Sequence, residues 1–198
     1  MTGLPALIAY LVVETLRNPR EAAGRLIALD PPNEARWIGL VLVSVLALIV
    51  TRIGLPLIPS EGRPAYIVLL SDPVLGVPMQ IMSQLMIAGA VAAVGRVFGG
   101  RGSFADTLLL VVWLEFLMVL AQAAQVIVLL TLPPLGLLVG YAALGLFLWL
   151  LVQFTAAVHD FTHPGKVALG MIVSFVAIVV ILSLVLFMLG ITPTIEKG

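Results

Sequence analysis

An all-α, polytopic membrane helix bundle is the fold class this sequence predicts: five transmembrane helices preceded by an interfacial amphipathic helical hairpin. Three observations predict it. Hydrophobic residues make up 62% of the 198 and charged ones only 10%, against roughly 45–50% and ~25% in soluble domains. The apolar residues gather into five runs, each long enough to cross a ~30 Å hydrocarbon layer at ~1.5 Å per residue. Clusters of Gly and Pro, with most of the charge, fall between these runs.

Residues 1–35 hold two short helices. Pro5 suits a first turn, and Leu4, Leu7, Ile8, Leu11, Val12 and Leu16 give residues 3–17 their most continuous apolar face. This stretch is too short to span, so it is expected to lie in the interface. No Lys or Arg precedes Leu4, and Glu14 and Arg17 close the run where a signal peptide would have a small-residue cleavage site. Asn18 is expected to cap the second helix, with Pro19 in its first turn and Glu21 three residues after the cap. Ala22, Ala23, Leu26, Ile27 and Leu29 lie on one side of it, Arg20, Glu21 and Arg25 on the other, and Pro31 and Pro32 end it. The hairpin is expected to rest on the membrane surface.

Residues 36–198 form the spanning domain. The first span, about 37–57, opens with Trp37 as an aromatic anchor and ends near Arg52, which can snorkel outward. Pro56, Pro59, Gly62 and Pro64 then form a loop. Residues 65–72 are too few to span and are interrupted by Asp72 and Pro73. The second span, about 74–98, carries Gln80, Ser83 and Gln84, and its Gly89, Ala92, Ala93 and Gly95 permit close helix approach. Gly99, Gly100 and Gly102 stop it.

Ser103 and Asp106 have capping-box spacing, so the third span, about 104–132, starts at Phe104. Pro133 and Pro134 force the fourth span, about 135–158, to run antiparallel beside it, with Gly136 and Gly140 offering a small-residue contact face. His159 to Lys166 is a loop with a frayed helix end, and the fifth span, about 167–189, is nearly pure Val, Ile, Leu and Phe. With the N-terminus inside, Arg17, Arg20, Arg25, Arg36, Arg96, Arg101 and Lys166 face the cytoplasm, and Arg52, Arg63 and Lys197 face outward. Seven against three predicts a cytoplasmic N-terminus and an external C-terminus.

Glu115 is the sharpest chemical signal. It stands roughly 18 Å along the third span, where an ionised carboxylate costs several kcal/mol, so it is expected to face the bundle, buried and protonated. Glu115, Met118, Gln122 and Gln125 fall on one stripe, which Gln80, Gln84 and Gln153 could face. These six polar residues form an intramembrane cluster that serves either as packing glue or as a proton-linked pathway. The lone ionisable group favours glue. His159 and His163 have metal-ligand spacing but lack a third ligand. An imidazolium at the negative end of the helix dipole accounts for them more simply. Arg17, Arg20, Arg25, Arg36, Arg96 and Arg101 are candidate contacts for anionic lipid. No catalytic, metal-binding, cofactor-binding or phosphate-binding motif is present, zero cysteines exclude thiolate chemistry, and the balanced charge does not favour nucleic acid.

The whole chain resembles bacterial members of the Yip-domain family, polytopic relatives of the Ypt/Rab-interacting proteins. The resemblance rests on TLRNPREA from Thr15 to Ala22, Trp37, FGGRGSF from Phe98 to Phe104 leading to Leu108 and Trp113, and VHDF from Val158 to Phe161. It implies an integral protein of the bacterial inner membrane. Eukaryotic members are membrane adaptors that contact prenylated small GTPases and partner Yip proteins through a chain with a long polar N-terminal region. Here only residues 1–35 precede the spans, so GTPase binding is not expected. The function expected is a non-enzymatic scaffold or accessory subunit, with membrane lipid and a membrane-protein partner or second copy as its contacts. The alternative is a small transporter or proton-coupled carrier using Glu115 and its Gln neighbours.

Overall fold

A computed structural model describes residues 3–58 and 65–188. These contain eight α-helices: α1 (Leu4–Arg17), α2 (Pro19–Ala28), α3 (Asn33–Gly54), α4 (Ala65–Leu70), α5 (Gly76–Val97), α6 (Phe104–Thr131), α7 (Gly136–Val158) and α8 (Pro164–Met188). The described residues include no strand. Five helices, α3, α5, α6, α7 and α8, are long and apolar enough to cross a membrane. Together with the composition, they make this an integral membrane protein. Pro59, Gly62, Arg63, Pro64 and Lys197 lie outside the described residues.

The bundle is built around α6, which packs against α2, α3, α5 and α7. It starts at Phe104 because the Ser103 hydroxyl accepts the Asp106 N–H at 3.0 Å. The same hydroxyl donates to the Asp106 carboxylate at 2.6 Å. Thus the shorter acid grips the cap's side chain instead of reaching back to its backbone. Leu108, Leu110 and Leu114 are almost fully enclosed. Gly136 and Gly140 do face α6: side chains there would run into Leu129 and Gln125. By contrast, α8 packs chiefly on α7 and is apolar and exposed along most of its length.

Two of these helices end alike. After α5, Gly99 takes a φ of 84°, its N–H bonds the Arg96 carbonyl, and Gly100 N–H bonds the Gly95 carbonyl. After α7, Asp160 takes a φ of 57°, its N–H bonds Ala157, and Phe161 N–H bonds Ala156. Both are Schellman closures. The end expected to fray at 159–163 is therefore a closed cap. The run at 65–72, too short to span, holds the short helix α4, and Asp72 punctuates the turn into α5. Its carboxylate accepts Val74 N–H at 2.8 Å and Leu75 N–H at 2.9 Å. These bonds, Leu75's first and then Val74's, hold it below the ordinary carboxylate range.

The N-terminal hairpin forms at the predicted places, but its apolar faces are used differently. Ala22, Ala23 and Leu26 of α2 and Leu11 of α1 are buried. Leu11, Ala23 and Leu26 share one core with Leu110, Leu114 and Leu117 of α6 and with Leu150, Phe154 and Val158 of α7. Trp113 Nε1 donates to Thr15 Oγ1 at 3.0 Å, and Arg20 donates to the carbonyls of Phe161 and Thr162. The hairpin is thus docked on the bundle. Leu7, Tyr10, Val13 and Leu16 remain exposed and keep an apolar face on α1. Asn18 makes no side-chain cap bond; its backbone carbonyl accepts Ala22 N–H at 3.0 Å. Arg52 does not snorkel free, because it donates to the Ser71 carbonyl at 3.0 Å.

Candidate functional site

The polar residues of the spanning helices are met one by one. Gln80 Nε2 of α5 donates to Glu115 Oε1 of α6 at 2.6 Å. Gln84, one turn further along α5, turns to α3 and donates to Ser44 Oγ at 3.3 Å, while Ser44 donates to the Leu40 carbonyl at 2.8 Å. Gln122 donates to Thr51 Oγ1 of α3 at 2.9 Å, and Gln125 to the Gly136 carbonyl at 3.0 Å.

The single cluster expected around Glu115 is thus four separate contacts. Of the partners proposed for Glu115, only Gln80 bonds it. Gln122 shares its face but stands seven residues, roughly 10 Å, further along the axis, and Gln153 of α7 is not joined to the set. The pairing places each amide against a neighbouring helix, and this arrangement can fix how helices pack. Within this Gln and Glu set, Gln84 Oε1 is buried without a partner.

The six arginines divide in the same way. Arg36 is only 7% exposed, with Asp30 at 3.1 Å and Asp106 at 3.5 Å, and it also donates to Asn33. It is removed from the lipid contacts expected of it, because it ties the α2–α3 link to the start of α6. Arg25 pairs with Glu14 at 3.0 Å and donates to Tyr10, while Arg20 is held by the carbonyls after α7. Arg17, Arg96 and Arg101 are exposed and make none of the ion pairs found among the described residues.

One tightly held polar side chain was not among the expected site residues. His159, at the C-cap of α7, is 2% exposed. Gly102 N–H donates to its Nδ1 at 3.0 Å. A backbone N–H can only donate, so Nδ1 carries no proton. Nε2 therefore carries it and donates to the Val91 carbonyl of α5 at 3.0 Å. Side chains at Gly95, Gly100 or Gly102 would collide with the ring, and Phe161 stacks on it with centroids 5.5 Å apart.

The three glycines form a slot for a neutral imidazole joining the ends of α5 and α7 to the turn before α6. This overturns the expected imidazolium. Burial, above all, holds the ring below its ordinary value of 6.5. Arg96 pushes it the same way, while the Val91 bond and Asp160 oppose. Both ring nitrogens are engaged, so His159 has none free for a metal. Among the described residues no group of three or more His, Cys, Asp or Glu could hold one. The glycines were the available signal, but turn geometry already accounted for Gly100 and Gly102 and close helix approach for Gly95, and the residue filling their slot lies 57 positions from Gly102.

Beside His159, which latches these helix ends together, α5, α7 and α8 line an apolar groove of about 480 Å³. Its walls include Ile87 and Phe98 of α5, Leu151 of α7, and Met171, Phe175 and Ile178 of α8. Phe161, Thr162, His163 and Lys166 form one end.

No curated protein and no solved structure matches the chain. The family model described as the Yip1 domain does, over residues 13–186. That interval takes in the end of α1, the whole of α2, the apolar helices α3, α5, α6 and α7, nearly all of α8, the glycine slot and the histidine that fills it, and the chain belongs to the Yip1 domain family.

Proposed function

We propose that this protein is a non-enzymatic scaffold or accessory subunit of a bacterial inner membrane, with its N-terminus in the cytoplasm. The observation that supports this reading is the Gln80–Glu115 bond, set apart from the Gln84–Ser44 and Gln122–Thr51 contacts. A proton-linked carrier needs successive ionisable or water-accessible groups along a route; a scaffold needs polar groups that lock helices together. The partner of such a scaffold is a membrane protein or a second copy of the chain, and the exposed faces of α7 and α8 are the surfaces free to receive it. The orientation follows the cation bias. Arg20 reaches the α7–α8 turn and Arg36 reaches the start of α6, so these cations collect at one end of the bundle.

The test is Glu115→Gln in a strain deleted for the protein, combined with in-membrane crosslinking of the wild-type chain before mild solubilisation. A scaffold gives full complementation by the variant and a crosslinked species of constant stoichiometry. A variant that inserts and folds normally yet loses the phenotype, with an uncrosslinked chain, replaces the scaffold by the carrier.

A further inference from the structure

We infer that the α5–α7–α8 groove is a binding site for one acyl chain of an anionic phospholipid from the cytoplasmic leaflet, with Lys166 at its mouth receiving the phosphate. Three observations carry this. The first is length. From Phe98 to Ile87 the groove follows α5 for eleven residues, roughly 16 Å of helix. That matches half of a ~30 Å hydrocarbon layer, the depth of one leaflet.

The second is chemistry along that length. The inner walls are Ile87, Val91, Leu151, Met171 and Ile178, with two hydroxyls among them, those of Thr155, already bonded to the Leu151 carbonyl at 2.7 Å, and of Ser174. No cation lies among these inner walls, so a free phosphate or other small polar anion has no counter-charge there, whereas a hydrocarbon chain is covered by apolar side chains.

The third is charge at one end. Lys166 lines the mouth. Arg20 is bonded to the carbonyls of Phe161 and Thr162, which also line it, and Arg96 follows Gly95 of the wall. Asp160, exposed beside His159, is the acid of this turn. Neither Lys166 nor Arg96 makes an ion pair among the described residues. A cationic mouth over an apolar slot of one-leaflet depth is complementary to a phospholipid anion. The latch gives the site rigidity, since Gly95 and Phe161 belong both to the groove wall and to the surroundings of His159.

The experiment uses the full chain in nanodiscs, either of phosphatidylcholine or of phosphatidylcholine with phosphatidylglycerol, and counts retained lipid by native mass spectrometry. The wild-type chain is expected to retain one phosphatidylglycerol in preference to phosphatidylcholine. Lys166→Gln should lower that preference roughly fivefold, and adding Arg96→Gln should lower it by a similar factor again. Lys166→Arg should preserve it. Gly170→Phe, which adds a ring opposite Phe98, should remove the retained lipid of either headgroup while the thermal midpoint stays within a few degrees of wild type. Inorganic phosphate should not compete, because it lacks the chain. Equal retention of both lipids by the wild-type chain overturns the inference, as does an unchanged preference in the double variant. Displacement of the lipid by a second copy of the chain also overturns it. The leaflet rests on the orientation proposed above, but none of these readouts depends on Glu115, so a failure of this site and a failure of the scaffold reading are distinguishable.

Discussion

Gly95→Ala is the substitution that best isolates the histidine slot. In an ordinary helix interior this change stabilises by up to ~1 kcal/mol, because alanine is the better helix former. At position 95 the added methyl would occupy the space of the His159 ring, meeting Nε2, Cδ2 and Cε1 together. These atoms belong to a ring clamped at both nitrogens, so it cannot turn aside without breaking the Gly102 and Val91 bonds. Leaving the buried Gly102 N–H unsatisfied costs about 1–3 kcal/mol, and the overpacking costs a similar about 1–3 kcal/mol. Against the propensity gain, the net loss is on the order of 3 kcal/mol. Gly89→Ala on the same helix is the control, since nothing lies within 4 Å of its added methyl; it should be neutral or slightly stabilising.

The assay is a thermal or denaturant midpoint in one detergent for Gly95→Ala, Gly89→Ala, His159→Ala and the Gly95→Ala/His159→Ala double variant. Removing the ring removes the collision, so the double variant should lose clearly less than the sum of the two single losses. If Gly95→Ala is as stable as Gly89→Ala, or if the two losses simply add, the slot does not hold the ring as described.

Four further outcomes are expected. Glu115→Gln keeps an acceptor for Gln80 and should cost within about 1 kcal/mol, whereas Glu115→Leu strands the Gln80 amide and should cost about 1–3 kcal/mol in the same midpoint assay. His159 is held below its ordinary value of 6.5, so its contribution is complete above that pH and is lost as pH falls through the folded-state value; the midpoint of the wild-type chain should drop on acidification below about 6.5, and that of His159→Ala should drop less. Arg36→Met should cost about 1–2 kcal/mol, not the about 3–5 kcal/mol of a fully buried broken pair, because Asp30 and Asp106, at 87% and 28% side-chain exposure, can turn to water; a larger measured loss would refute that. The chain has no cysteine, so Glu34→Cys and Asp72→Cys report sidedness with an impermeant thiol reagent, and Glu34 should label from the cytoplasm and Asp72 from outside.

The features legible in the sequence are those whose physics is local. Five apolar runs of bilayer length mark α3, α5, α6, α7 and α8, because a backbone in hydrocarbon must bond to itself over about 20 residues. Ser103 and Asp106 place the start of α6 correctly, since a cap is decided within four residues. Gly136 and Gly140 announce a close contact for the same reason.

Which face of each helix meets which neighbour was not legible. In a soluble bundle, apolar residues mark the inward face; in lipid the outward face is apolar too. Hence α8, apolar on every face, does not tell inside from outside by periodicity. Only the helix rotations decided that Gln80 meets Glu115 while Gln84 meets Ser44. Only docking of the hairpin link against α6 decided that Arg36 is buried. His159 shows the limit most sharply. Its closed cap follows from local geometry at Asp160, but its neutral charge state follows from a slot made by Gly95, Gly100 and Gly102. Those glycines come from a different helix end, and the chain brings them together with the ring only when α5, α6 and α7 pack.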